Sequence, residues 1–242
     1  MDSGFYAACA GLVARTQALD LAANNLANVS TSGYRGQHEL FRQVFAGALP
    51  SGELNRAVNA FGVLSGASTD FAQGSLQKTD NPYDFAIEGS AFFSIETPAG
   101  TRFTRAGGFH LRPDRTLVNN DGDPVLGEQG PLRIPDGKLC VSADGTLSIN
   151  GAIAGRLKLV EFPQGTELTP AGSASYAAPL AAAVESKTSS LRQGMLEGSN
   201  VDAVSAAVGL IRIQRNAETL QRALSLFHNE FNRIAAEELP RV

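Results

Sequence analysis

The chain has 242 residues, of which 43% are hydrophobic and 18% are charged. This balance allows a sizeable core and excludes a wholly disordered protein. The formal net charge of −4 disfavours a nucleic-acid binder, because neutralising phosphates requires clustered Lys and Arg. No run reaches the roughly 18 apolar residues of a membrane helix, and no apolar signal core follows the first residues, so we expect neither membrane insertion nor a cleaved leader.

Residues 4–27 have the pattern of a helix. Its apolar residues recur every seven positions, at Phe5, Leu12, Leu19 and Leu26. This period is typical of a narrow apolar seam. The segment that follows is rich in Asn, Ser and Gly, and Gly33 can take a positive φ at no steric cost. The sequence therefore predicts a helix, a stop and a turn.

The middle of the chain differs in kind. Residues 84–162 contain short apolar or alternating runs that are separated by turn dipeptides such as Asp121-Gly122 and Asp144-Gly145. Repetition every 8–12 residues or so is typical of an all-β domain. On both sides of these runs, stretches rich in Gly, Ser, Ala and Thr indicate extended connectors.

The C-terminal segment predicts a second helix, with Asn200 as its N-cap and Asp202 near the positive end of its dipole. Its apolar residues alternate in spacings of three and four, which is a coiled-coil pattern. They are Leu210, Ile213, Ala217, Leu220, Leu224, Phe227, Phe231 and Ile234. A second apolar stripe overlaps the start of the helix, at Val201, Val204, Val208 and Ile211.

Together these patterns predict an α+β protein in which paired N- and C-terminal helices form a coiled-coil-like inner domain around an inserted all-β central domain. The expected ranges are an N-terminal helix in 1–35, an extended connector in 36–80, the β domain in 81–165, a return connector in 166–198 and the C-terminal helix in 199–242. Even when paired, the two helices would leave apolar stripes that only further copies could cover.

The residues that catalysis requires are scattered along the chain. The three histidines lie in three different segments, at His38, His110 and His228, and metal ligands normally cluster. No nucleophile elbow, P-loop or dinucleotide fingerprint is present. Asn119–Asp123 lacks the spacing of a calcium loop and indicates a hairpin turn. Cys9 and Cys140 lie in unlike contexts, which disfavours a disulfide framework. We expect no enzyme, no cofactor and no metal.

Four ordered motifs carry a resemblance to a known family. An N-terminal motif spans residues 23–35 and includes Asn24, Asn25, Leu26, Ala27, Asn28 and Gly33. A C-terminal motif includes Ser199, Asn200 and Val201, followed by Gln214 and Arg215. Between them lie the segments 73–76 and 85–93, and then 104–107 and 121–127. In this order they resemble the bacterial flagellar basal-body rod and hook proteins.

The resemblance implies a fold and a set of partners. In that family the terminal helices pair into an inner domain, the β domain lies outside, and copies stack helically. It further implies a structural subunit of the periplasmic axial rod that transmits torque from motor to hook, contacts itself and other rod proteins, and leaves the cell through the flagellar type III export apparatus. No nucleic-acid partner is implied.

The opening residues 1–6 and the pair Tyr34-Arg35 are more similar to a proximal rod protein, the F type, than to a distal one. A distal rod subunit is the alternative within the family. Outside the family, the alternatives are a secreted hydrolase, which would need a convergent polar pocket, and a secreted binding module that uses the β domain and stays monomeric.

Overall fold

The structure is a computed structural model that describes residues 2–43, 62–163, 165–172, 174–186 and 188–238. The chain divides into two compact units. The first, here called the terminal unit, contains Met1–Ala27, Gln37–Asp70 and Asp202–Val242. The second, here called the β unit, contains Asn28–Gly36 and Phe71–Val201. The α+β class and the β-rich centre flanked by two helices are confirmed.

In its described residues, the terminal unit contains two helices and a pair of strands. They are α1 (Asp2–Ala27), β1 (Gln37–Gln43), β2 (Gly62–Thr69) and α2 (Ala203–Glu238). Helix α1 contacts α2 and both strands. The strands pair antiparallel, with Gln37 opposite Thr69 and a bulge between Leu40 and Phe41. These strands lie within the range expected to be an extended connector.

The start of α2 differs from the expectation. The backbone N–H of Ser205 donates to the Asp202 carboxylate at 2.8 Å, so Asp202 is the N-cap residue. The prediction of Asn200 as N-cap is wrong by two residues. The hydrogen bond from Ser205 also lowers the pKa of Asp202.

The part of the β unit that the structure describes forms seventeen short strands and one turn of 3-10 helix at Leu180–Ala182. Up to the middle of the unit the strands are β3 (Leu76–Lys78), β4 (Phe85–Glu88), β5 (Phe92–Thr97), β6 (Gly100–Thr104), β7 (His110–Leu111), β8 (Leu117–Val118), β9 (Leu126–Gly127), β10 (Gly130–Pro131) and β11 (Leu139–Val141). The remainder are β12 (Thr146–Ile149), β13 (Ala152–Arg156), β14 (Leu159–Glu161), β15 (Thr169–Pro170), β16 (Ser175–Ala177), β17 (Val184–Glu185), β18 (Ser190–Gln193) and β19 (Met195–Glu197).

A six-stranded sheet organises this unit, in the order β15-β16-β6-β5-β14-β17. Alternate side chains of a strand face opposite sides of a sheet, and two apolar clusters use the two faces of β5. Phe93 and Ile95 join the larger cluster with Phe85, and Phe92 joins a smaller one with Phe103. Phe85 and Phe93 are fully buried. The β unit thus has a layered core of its own.

The last strands close the β unit by pairing with early ones. Strand β18 pairs antiparallel with β4, and β19 with β3. Elsewhere the turns follow the sequence signals. Gly145 has a φ of 85° between β11 and β12, and Gly122 has a φ of 86°. The Asn119 side-chain oxygen accepts hydrogen bonds from the backbone N–H groups of Asp121 and Asp123, so this segment is a turn.

Candidate assembly surface and signature junction

The residues that are buried on the two helices are small. Ala18 is fully buried, and Ala14 and Ala217 are 6% exposed. Small side chains allow close packing but bury little apolar area per residue. The larger residues of the predicted seam are only half-buried: Leu12, Leu19 and Leu26 on α1, and Leu210, Ile213, Leu220 and Leu224 on α2. In the single chain, these side chains are therefore partly exposed to solvent.

Four further seam residues lie near the outer ends of the helices. They are Phe5, Phe227, Phe231 and Ile234. Their backbone is helical, and their side chains lie outside the described residues. Their place in a seam remains a prediction.

Three of the four residues of the second stripe are exposed on α2, whereas Val201 precedes the helix and is half-buried. Val204 is 71% exposed, Val208 is 61% exposed and Ile211 is 51% exposed. Leu226, which is 69% exposed, follows Val208 by 18 residues, or about five helical turns, and therefore lies on the same face. Ala217 follows Val208 by nine residues, or about two and a half turns, and lies on the opposite face. Helix α2 thus has apolar residues on two opposite faces.

In the β unit, four separate segments meet at the carboxylate of Glu197, which is fully buried. A guanidinium nitrogen of Arg35 lies 2.5 Å from one carboxylate oxygen, and one of Arg105 lies 3.3 Å from the other. The backbone N–H of Gly74 donates to the first oxygen at 3.0 Å. We call Arg35, Arg105 and Glu197 the buried charge cluster. It unites N-terminal, central and C-terminal segments.

The buried charge cluster holds two cations and one anion, with side chains 0–2% exposed. Burial lowers the pKa of Arg105 to about 10. Arg105 also donates to the Gly89 carbonyl at 2.5 Å and stacks 5.0 Å from the centre of the Phe92 ring. Within the described part of the chain, Nε and Nη1 of Arg35 and Nε of Arg105 make no hydrogen bond. Glu197 is therefore the carboxylate that bonds to both guanidinium groups, and Glu161 adds a weaker coulombic attraction on Arg105.

Gly33 lies beside this cluster in a conformation that requires glycine. Its φ is 70°, which confirms the expected positive value. Its N–H donates to the Glu197 carbonyl at 2.8 Å. A Cβ on Gly33 would lie 2.2 Å from the backbone nitrogen of Ala106 and 2.4 Å from the carbonyl carbon of Arg105. Backbone cannot yield as a flexible side chain can, so this position excludes other residues.

The Asn200 side chain hydrogen-bonds to the backbone of two distant segments. Its side-chain oxygen accepts from the N–H of Gly36 at 2.7 Å, and its amide nitrogen donates to the carbonyl of Ala72 at 3.2 Å. Nearby, the Ser199 hydroxyl oxygen accepts from the N–H of Val201 at 3.1 Å. Each of these contacts lies where the chain enters or leaves the β unit, so the polar side chains of the motif pin the ends of that unit.

The hydrogen bonds of other motif residues span shorter distances along the chain. In the terminal unit, the Asn25 amide exchanges two hydrogen bonds with the backbone of Gln37, at 2.7 and 2.9 Å. In the β unit, the Asn28 side chain accepts from the Thr31 hydroxyl at 3.1 Å. Gln214 donates to Glu218 one turn along α2. Asn24, Ala27 and Arg215 are exposed, and Leu26 is half-buried.

Sequence reasoning missed the central role of Glu197 and Arg105, although Arg105 lies within the motif segment 104–107 and Glu197 lies two residues before Ser199. The available signal was a charged residue inside a strand-like run. Among the described residues, no group of three or more His, Cys, Asp or Glu is placed to hold a metal ion. Neither described helix is both apolar enough and long enough to cross a bilayer.

Three family models match the chain. The "Flagella basal body rod protein" model matches residues 5–35, the "Flagellar hook protein FlgE/F/G D1 domain" model residues 86–149, and the "Flagellar basal body rod FlgEFG protein C-terminal" model residues 192–226. These ranges contain α1 with its turn, most of the middle of the β unit, and the junction with α2. The third range contains Glu197, and the first contains Arg35.

Full-length relatives agree. The chain is 31% identical to the flagellar basal-body rod protein FlgF of Caulobacter vibrioides over all of both chains. It is 33% identical to FlgF of Mesorhizobium japonicum over 90% of each chain. It is 30% identical to the rod protein FlgG of Bacillus subtilis over 93% of this chain and 95% of that one. The chain therefore belongs to the bacterial flagellar basal-body rod protein family, and the relatives named FlgF support its assignment to the F type.

Proposed function

We propose that this protein is a proximal structural subunit of the flagellar rod, that it polymerises helically through its terminal helices, and that the polymer transmits torque from motor to hook. As a member of the rod protein family it is a component of the flagellar basal body. Its work in this proposal is mechanical, with no catalytic step and no cofactor.

The observation that carries the proposal is the pair of opposite apolar faces on α2. One face meets α1 through Ala217, and the other presents Val204, Val208 and Ile211 to solvent. Each such side chain would contribute about 1.5–3 kcal/mol if a neighbouring molecule buried it fully. A monomer gains nothing from this stripe, whereas a helical polymer repeats the gain at every copy.

The half-buried seam fits the same scheme. In the proposed rod, α1 and α2 pair as a coiled-coil-like inner domain, and Phe227, Phe231 and Ile234 continue the seam toward the chain end. In this proposal, 1–35 and 199–242 supply the inner domain and 81–165 supply most of the outer β domain. The ranges 36–80 and 166–198 run between them and carry the strands β1 to β3 and β15 to β19. The partners are further copies, other rod proteins and the type III export apparatus.

The test places one charge on the exposed stripe. In Val208→Asp, we expect the β unit to melt as in wild type, because residue 208 is 61% exposed, and we expect incorporation into the rod to fail, since a buried charge would be unpaired. Asn216→Asp adds the same charge at an exposed position about 80° around the same helix and serves as the control. Equal assembly by both variants would refute the proposal.

A distal place in the rod is the second candidate, favoured by the 30% identity to FlgG of Bacillus subtilis. The two candidates differ in which deletion strain this gene restores. We expect it to restore motility to a strain that lacks the proximal F-type subunit. Restoration only of a strain that lacks the distal subunit would select the second candidate.

A further inference from the structure

The buried charge cluster brings together segments that are far apart in sequence. Arg35 follows α1, Arg105 follows β6, and Glu197 is the last residue of β19. The Glu197 backbone also accepts from Gly33, so both its main chain and its side chain hold the N-terminal segment. No other residue described here bonds to both arginines. Glu197 is therefore the point at which the β unit is closed.

Charge makes this closure conditional. With Glu197 in place, the two buried guanidinium groups share its carboxylate, and Glu161 adds only a weaker coulombic attraction on Arg105. Without Glu197, two like charges would face each other in the protein interior with no bonded carboxylate. Removing one partner from a buried ion pair is far more costly than losing a surface pair, because the remaining charge is left uncompensated. Repulsion between Arg35 and Arg105 thus favours an open β unit until the Glu197 carboxylate lies between them.

We propose that Glu197 is a charge lock: the β unit closes only when the C-terminal segment inserts this carboxylate between Arg35 and Arg105. The pairing of β19 with β3 and of β18 with β4 then follows, since these strands flank the lock. Because Glu197 lies 92 residues after Arg105 and synthesis delivers residues in order, the β unit stays open until the segment that carries Glu197 is present.

The charge lock predicts that two substitutions differ in effect in the opposite order to the number of atoms that each one removes. Glu197→Gln keeps the shape of the side chain but leaves two buried cations. Arg35→Met deletes a larger polar group but leaves Arg105 and Glu197 as a neutral pair. If charge controls closure, Glu197→Gln reduces protection from hydrogen exchange more than Arg35→Met does. If packing controls closure, Arg35→Met reduces it more, because it removes the larger group.

The experiment is hydrogen exchange of the full-length chain, read at residues 31–36, 76–78 and 190–197. We expect Glu197→Gln to reduce protection there by at least about 100-fold, and Arg35→Met to reduce it by about tenfold or less. Protection in the local hairpin β12–β13 should change least, because that pairing is made between neighbours in sequence. Glu88→Gln removes the exposed pair with Arg192 and should stay within about twofold of wild type.

A combined variant keeps the test decisive if Glu197→Gln fails to fold. Arg35→Met, Arg105→Met and Glu197→Gln together leave no charge in the site. We expect this triple variant to regain most of the lost protection, since replacing a whole buried ion cluster by apolar groups is often tolerated. The charge lock is overturned if Arg35→Met is as harmful as Glu197→Gln, or if the triple variant is no better protected than Glu197→Gln.

Discussion

The two units of the chain bury different kinds of residue. The β unit encloses large side chains such as Phe85, Phe93 and Phe103, each at most 1% exposed, and pairs its buried charges internally. The terminal unit buries alanines along its helices and leaves Val204 and Leu226 mostly exposed. Because apolar burial supplies most of the stability of a folded domain, the β unit can sustain itself, whereas the helices gain little until something else covers them.

The largest expected effect comes from emptying the core of the β unit. In Phe93→Ala, we expect the free energy of unfolding to fall by about 3–5 kcal/mol, because the ring is fully buried and packs 5.1 Å from Phe109. Urea denaturation followed by circular dichroism measures the loss. Phe71→Ala is the control, since that ring is 38% exposed. We expect it to cost about half as much or less, and equal losses would show that the core is not where the β unit's stability resides.

Two glycine substitutions contrast the units directly. Gly33→Ala should destabilise the β unit by about 2–4 kcal/mol, because φ is positive and the new Cβ would collide with backbone. Gly209→Ala lies in α2, where an added Cβ meets nothing within 4 Å. It should stabilise the helix by up to about 1 kcal/mol. Thermal unfolding of both variants measures these opposite changes in stability. A Gly33→Ala variant as stable as wild type would contradict the close packing of Gly33 against Arg105 and Ala106.

Leu224→Asp probes the half-buried seam. We expect the melting temperature of the β unit to stay within error of wild type, because Leu224 belongs to the terminal unit. We also expect stable incorporation into the rod to be lost, since assembly would bury the charge. Melting and incorporation should be measured on the same preparation. A large drop in the melting temperature would mean that this residue belongs to a core shared by the whole monomer.

The smallest expected effect is on acid stability. Glu161 accepts hydrogen bonds from the hydroxyls of Ser186, Ser189 and Thr188, and these lower its pKa below the ordinary 4.5. A lowered carboxyl pKa adds stability above about pH 4.5 that disappears as the pH falls through the folded-state pKa. Glu161→Gln should therefore lose less stability than wild type on acidification from about pH 5 to pH 3. Parallel acid profiles for both proteins would contradict this.

Local patterns predicted the local structure well. The two helices, the positive φ of Gly33 and the turn at Gly145 are all present, because each depends on residues close together in sequence. The N-cap of α2 was placed at Asn200 and lies at Asp202, since both residue types cap helices and only the tertiary contacts of Asn200 decide between them.

Contacts between distant segments could not be predicted. Periodicity carries no information on which early strand β18 or β19 joins, because short strands lack distinctive patterns. The same holds for the buried charge cluster, whose members are 162 and 92 residues apart in their hydrogen-bonded pairs. On α1 the buried alanines lie away from the predicted seam, because Ala14 and Ala18 follow Leu12 by two and six residues and so lie roughly 160° and 120° around the helix from it. The seam itself stays a prediction.

The central claim is that the β unit is complete in one chain, whereas the terminal helices depend on other copies. Hydrogen exchange of the full-length protein, first as dilute monomer and then in assembled form, tests it most directly. The account predicts strong protection of β4, β5 and β6 in both samples, and fast exchange in α1 and α2 that becomes slow only on assembly. Helices as well protected in the dilute monomer as the β unit would contradict the account.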